Sequence, residues 1–156
     1  AQDKEARPSP PVKAAFSLNE NDIVINYSSP AVKGREIWGA LVPYEKVWRT
    51  GANENTTVSF SKPVMIEGKK LPAGTYGLHS IPSKNELIII FSNDSKEWGS
   101  FSYKQEHDAL RITVKPQTNE FQERLIFTIE KVSNDKAKIA VAWEKLKIAF
   151  KVQNAN

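Results

Sequence analysis

Apolar and polar residues alternate along many stretches of the chain, and this period of two is the feature that most restricts its fold. The clearest stretch is residues 145–152, where large apolar side chains alternate with lysine and alanine. Successive side chains of a β-strand point to opposite faces, so the alternation is typical of a strand with one buried face. The chain also has 24 isoleucine and valine residues against 8 leucines. Because β-branched residues pack well on a pleated sheet, the sequence favours a β protein over a helical bundle.

Similar stretches recur along the chain and are separated by turn-forming residues. Residues 87–91 (LIIIF) are continuously apolar, which is typical of a central strand covered on both faces. Clusters of Asn, Asp, Gly and Ser between the stretches predict tight turns. Before the weakest are merged, we expect strands at 12–23, 23–28, 35–38, 57–61, 63–67, 74–81, 86–92, 98–103, 108–116, 121–132, 137–143 and 145–152. About ten short strands of uneven length, without an internal repeat, predict an all-β fold, a single-domain and mostly antiparallel β-sandwich.

The length of 156 residues suits one domain with one core. We expect that core to include twelve apolar residues from the alternating stretches: Ile25, Phe60, Tyr76, Leu78, Ile88, Ile90, Ile112, Phe127, Ile129, Val141, Trp143 and Ile148.

The first eleven residues (AQDKEARPSPP) contain three prolines and no apolar side chain larger than alanine. We therefore expect residues 1–11 to be a flexible leader and residues 12–156 to form the domain. A small residue followed by Gln is also what remains after an export signal is cleaved. This feature predicts an exported protein.

Composition excludes several classes of function. The net charge of +4 is divided equally between residues 1–80 and 81–156. The sequence therefore lacks the concentrated basic stripe that would indicate a nucleic-acid partner. The sequence contains no cysteine, which excludes disulfides, thiolate metal sites and thiol catalysis. No apolar run approaches the roughly 18 residues of a membrane-spanning helix. We predict no cofactor, and the oligomeric state stays open.

Residues 27–57 break the alternation. The segment contains two of the four Trp and two of the four Tyr, and five Pro or Gly residues interrupt it. Loops of this length inside compact domains are uncommon and usually functional or disordered, and the aromatic content argues against disorder. We expect an ordered excursion that packs on the sandwich and offers polar groups at its edge.

Motifs in this segment resemble a known family. They are YSSP at 27–30, KGR at 33–35, LVPY at 41–44 and VWRTGANE at 47–54, and further similarity extends to Trp143-Glu144. Together they resemble the bacterial family catalogued as domain of unknown function 2911, over nearly all of residues 12–152. The resemblance implies an exported protein of Gram-negative bacteria and no established activity.

Two interpretations of this segment remain open. In the first, a small polar ligand is bound, because Arg49 offers a planar set of donors, Trp48 a stacking face, and Asn53 with Glu54 hydrogen-bonding groups. In the second, Trp48 is core, Arg49 and Glu54 pair internally, and the neighbouring residues shape a turn. The candidate ligand-binding residues, including a weaker pair beside Gly34, are Lys33, Arg35, Trp48, Arg49, Asn53 and Glu54.

Catalytic and metal-binding patterns are weak. His79 and His107 are the only histidines, and neither has a metal-ligand spacing to another candidate. Ser28 or Ser29 lacks the Gly-x-Ser-x-Gly context of a nucleophile. We therefore predict no catalytic and no metal-binding residues. The leading hypothesis is an exported module that binds a saccharide or peptide fragment, with an interaction domain of the cell envelope and an uncharacterised hydrolase as alternatives.

Overall fold

The protein is described by a computed structural model over residues 9–52, 56–93 and 104–155. These residues form ten β-strands in two antiparallel sheets, so the predicted all-β sandwich is confirmed. The strands are β1 Pro11–Leu18, β2 Asn21–Ser28, β3 Thr57–Phe60, β4 Val64–Ile66, β5 Lys69–Leu71, β6 Gly74–Pro82, β7 Leu87–Ser92, β8 Asp108–Val114, β9 Gln117–Ser133 and β10 Lys136–Asn154. A short 3₁₀ turn, Gln105–His107, precedes β8.

The first sheet has six strands in the order β1-β2-β3-β6-β7-β8. Strands β2 and β3 pair directly, with Asn26 opposite Thr57, although residues 29–56 separate them. Strand β3 is short and pairs with β6 only as far as Gly77. The edge of β6 beyond Gly77 is therefore left free for the excursion.

The second sheet has the order β5-β4-β10-β9, and its longest strand changes direction sharply. A straight strand of the 19 residues in β10 would extend about 60 Å. Instead, the backbone N–H of Asn154 donates to the carbonyl of Asp135, 2.8 Å away, just before the strand begins. The register with β9 shifts on both sides of Glu144, which has a φ of 59°. Strand β10 therefore folds back near Glu144 and brings its two ends together.

Between the sheets lies one apolar core. Ten of the twelve predicted core residues are buried, and the other two, Ile88 and Ile129, are partly buried. The hydroxyl of Tyr27 accepts the Phe127 N–H across the core at 3.2 Å, and the two rings lie 4.8 Å apart. This contact joins β2 of the first sheet to β9 of the second.

Some predicted strand boundaries are wrong. Residues 35–38 form no strand, because Gly39 and the turn around it redirect the chain and leave Trp38 with a single bridge to Val42. Residues 137–143 and 145–152 belong to one strand, since the bulge at Glu144 bends the strand without ending it. Strand β5 was not predicted, and the expected strand at 98–103 lies outside the described residues.

The excursion crosses from one sheet to the other. Ala31 forms an antiparallel bridge with Arg124 of β9, and Trp48 forms another with Ser80 of β6. The described part of the excursion thus packs on the sandwich as expected. In the parts of the chain that the structure describes, no helix is long and apolar enough to cross a membrane.

Candidate functional site

A cavity of about 520 Å³ opens where the excursion meets the sandwich, and we call it the tryptophan pocket. Its wall combines rings, aliphatic side chains and two arginines. Within the described residues its lining contains no Asp or Glu. The lining residues are Ser9, Pro30, Arg35, Leu41, Val42, Pro43, Val47, Trp48, Arg49, Gly51, Ala52 and Trp143.

Two stacked indoles form the aromatic part of the wall. Trp48 and Trp143 have ring centroids 6.0 Å apart and planes inclined by 14°. The ring of Trp38 is nearly perpendicular to both, and its centroid lies 5.5 Å from that of Trp48 and 6.2 Å from that of Trp143. Trp143 also donates its indole N–H to the carbonyl of Glu123, at 3.2 Å. The wall is therefore fixed from both sheets before any ligand arrives.

Backbone hydrogen bonds to β6 hold Trp48 in place. Its N–H donates to the carbonyl of Ser80 at 2.7 Å, and the Ser80 N–H donates back to the Trp48 carbonyl at 2.8 Å. The next residue but one, Thr50, is buried with its hydroxyl 2.9 Å from that of Ser80. Thr50 also has a φ of 56°, an unfavourable conformation for a β-branched residue. The strand-like pairing and this turn together fix the direction of Arg49.

Gly51 is required where the excursion presses against β2. A Cβ at this position would lie 2.6 Å from the Thr56 hydroxyl and 3.3 Å from the Ser28 carbonyl. That hydroxyl donates to the Thr50 carbonyl at 3.0 Å, so it is not free to move away. Close packing explains the glycine of the WRTG sequence without any ligand.

Arg49 lies in the pocket wall and is half-buried. Across residues 9–52, 56–93 and 104–155, its guanidinium makes no hydrogen bond and no ion pair. No described residue therefore occupies the five N–H donors of this planar guanidinium. The structural interpretation pairs Arg49 with Glu54, which lies outside the described residues, so both interpretations of Arg49 stay predictions.

Arg35 has a different arrangement, because two of its N–H donors bond to carbonyls of the excursion itself. Its Nε donates to the carbonyl of Val32 at 3.0 Å, and its Nη2 donates to the carbonyl of Ala31 at 2.5 Å. These bonds close the turn of the excursion that follows the bridge to β9. Arg35 lines the pocket and brings a second positive charge to it.

Lys33 lies outside the pocket lining. Its φ is 49°, and its backbone N–H donates to the carboxylate of Glu123 at 2.9 Å. Its position in the structure is that of an exposed turn residue. Asn53 and Glu54, the other two candidates, lie outside the described residues.

The sequence analysis did not assign Trp143 to the site. It was expected in the core, and it is buried to 2% exposure, yet its ring also lines the pocket. Pro30, Leu41 and Pro43 were also missed as lining residues. Their presence in the aromatic and proline-rich excursion was the available signal, but only the folded chain brings them to β10.

Catalysis and metal binding have little support. His79 is buried at 2% exposure within β6, and His107 lies in the 3₁₀ turn before β8. The Ser29 hydroxyl donates to the carbonyl of Leu125 at 2.7 Å. Among the residues that the structure describes, no group of three His, Cys, Asp or Glu side chains could hold a metal ion.

Comparison with known proteins gives a family. A family model described as "Protein of unknown function (DUF2911)" matches residues 9–152. The chain belongs to the DUF2911 family. The match covers nearly the whole chain, so both the excursion and Trp143 lie within the DUF2911 domain. No curated protein and no solved structure matches this DUF2911 chain.

Proposed function

We propose that this DUF2911 chain is a non-catalytic module that binds a small polar ligand, a saccharide or a peptide fragment, in the tryptophan pocket. The observation that carries the proposal is the guanidinium of Arg49, which lies in the pocket wall without a partner among the described residues. Arginine recognises carboxylates through two parallel hydrogen bonds. We therefore expect the ligand to carry a carboxylate, as an acidic saccharide or a peptide C-terminus does.

The rest of the lining supports a ligand with an apolar face. Concave sites for small molecules are mostly apolar, hold a few placed polar groups and commonly measure about 300–1,000 Å³. The tryptophan pocket has this composition and size. Trp48, whose partly buried indole stacks on the buried Trp143, offers a rigid surface to a sugar ring or to an apolar side chain.

A ligand screen tests the proposal directly. Trp48 and Trp143 line the pocket, so a bound ligand should change the intrinsic fluorescence of the protein. The panel would contain neutral sugars, uronic acids, amino acids and short peptides with free or amidated C-termini. We expect saturable binding by carboxylate-bearing members and weaker binding by their amides. Saturation by none of them would contradict the proposal.

An interaction domain is the second candidate. Strand β9 carries exposed Phe121 and Ile126, at 53% and 39% exposure, which could meet another envelope protein. Within its described residues, the excursion bridges this strand only near Arg124. A hydrolase has no comparable support, since Ser29 is engaged with a backbone carbonyl.

The proposal includes an exported location, in the periplasm or outer cell envelope. It rests on the leader composition and on the family resemblance. Fractionation of cells that produce the full-length gene product, followed by immunodetection, tests it. Recovery only in the cytoplasm would contradict this part of the proposal.

A further inference from the structure

A second concave region lies beside the meeting ends of β10 and the β4–β5 turn. It consists of two cavities of about 450 and 330 Å³ that share Glu67, Lys138 and Lys151 as lining residues. Lys136 lines the larger cavity and Lys115 the smaller one. We call this region the lysine cleft, and it shares no lining residue with the tryptophan pocket.

The fold-back of β10 creates the cleft. Lys138 and Lys151 are far apart along one strand, but both line the same two cavities because the ends of β10 meet. Lys115 comes from the connection between β8 and β9. The four lysines are spread over the sequence, which is why the charge distribution along the chain showed no basic stripe.

The cleft contains more lysines than carboxylates. None of its four lysines makes an ion pair within the described residues, although Glu130 of β9 lies opposite Lys138 in the strand pairing. The carboxylate of Glu67 accepts the backbone N–H of Lys151 at 2.7 Å, and the Glu67 N–H donates to the Lys151 carbonyl at 3.1 Å. Glu67 is thus held by backbone groups, and the described lining of the two cavities contains four lysines and one acidic residue.

We propose that the lysine cleft binds a soluble small molecule with two or more phosphate groups. Clefts lined by one sign of charge focus the electrostatic potential and concentrate counter-ions of opposite charge. Lysine ammonium groups act as point charges toward phosphate, and two adjoining cavities suit two phosphate groups joined by a short linker. Val132, 61% exposed, and Met65 add an apolar wall for the non-phosphate part of the ligand.

The concave shape distinguishes this ligand from a membrane surface. A bilayer presents a broad front of headgroups, whereas the lysines of the cleft line open cavities of about 450 and 330 Å³, a size typical for small-molecule sites. The test therefore measures binding to soluble phosphate and binding to anionic lipid separately.

Calorimetric titration with inorganic tripolyphosphate tests the proposal. We expect one saturable site whose affinity falls as salt is raised, and a loss of about tenfold or more in the K138Q/K151Q double variant. The double variant K138R/K151R should keep the binding, because it keeps both charges. The control K13Q removes one exposed lysine of β1 that lines neither cavity and should leave the affinity unchanged.

Three results would overturn the proposal. One is that the parent protein, folded with its native melting temperature, shows no saturable binding of tripolyphosphate. Another is an equal loss of affinity in K13Q and K138Q/K151Q, which would indicate general charge attraction. The third is Lys138-dependent binding to phosphatidylglycerol vesicles that tripolyphosphate does not displace, which would assign the surface to lipid. If K138Q/K151Q melts at a lower temperature than the parent, Lys136→Gln, at an exposed position, replaces it in the titration.

Discussion

The indole rings of Trp48 and Trp143 stack at a centroid distance of 6.0 Å, although one residue lies in the excursion and the other on β10. Trp48 is paired with β6 of the first sheet, so the stack joins the two sheets at the pocket. Because Trp143 packs in the core and also lines the cavity, the pocket is a rigid part of the sandwich. Ligand binding should therefore stabilise the whole domain by mass action.

Truncation of the core beside this wall should be costly. Phe127 is 4% exposed and packs against Tyr27, so Phe127→Ala should reduce the free energy of unfolding by about 3–5 kcal/mol. Urea denaturation followed by circular dichroism measures the change. A reduction below about 1 kcal/mol would mean that this face of β9 is hydrated.

Two glycines of the excursion should differ in their response to alanine. Gly51→Ala places a Cβ against Thr56 and Ser28, and we expect a loss of about 1–3 kcal/mol or more from overpacking. Gly34→Ala meets no atom within 4 Å and suffers mainly from its φ of 68°, with an expected loss of about 1 kcal/mol. Thermal melts of the two variants provide the comparison. Equal losses, or a larger one for Gly34→Ala, would contradict the close packing at Gly51.

Alkaline pH should destabilise the fold through Tyr27. Burial raises the pKa of its phenol above 10.0, partly offset by the hydrogen bond from Phe127. Because the folded state then holds the proton more tightly than the unfolded state, the contribution is fully present below pH 10.0 and is lost as the pH rises through the folded pKa.

The matched variant is Tyr27→Phe, which cannot titrate at this position. Its unfolding free energy should fall less steeply than that of the parent above pH 10.0. Some decline should persist, since burial also raises the pKa of Tyr76. Parallel curves for parent and variant between neutral and alkaline pH would refute a role for Tyr27.

Local patterns were enough to predict most of the strands, but not β5. Alternation identifies which face of a strand is buried, so residues such as Phe127 and Ile148 could be assigned to the core directly. The same reasoning could not find the fold-back of β10, because Glu144 interrupts the alternation by one bulge and carries no glycine or proline signal. The lysine cleft depends on that bend and was equally invisible.

The candidate site was predictable only in part. Trp48 and Arg49 stand out in an aromatic excursion, and both line the pocket. Arg35 has the same residue type, but its bonds to the Ala31 and Val32 carbonyls depend on a turn geometry that the sequence does not specify. Trp143 was placed in the core because its strand alternates, and only its position at the bend of β10 turns one side toward the cavity.

The central claim is that Arg49 serves a ligand and does not hold the fold together. Arg49→Ala should melt within about 2 °C of the parent, because a guanidinium without partners among residues 9–52, 56–93 and 104–155 adds little stability. The same variant should lose about tenfold or more of the affinity for the carboxylate ligand found in the panel. Lys46→Ala, an exposed neighbour outside the pocket lining, should change neither.

Thermal melts of Arg49→Ala and the parent, each with and without that ligand, are the most direct measurement. The account predicts similar melting temperatures without ligand and a ligand-induced rise in the parent alone. A melting temperature lower by about 6 °C or more in Arg49→Ala, with no panel ligand raising that of the parent, would contradict it and make Arg49 a structural residue.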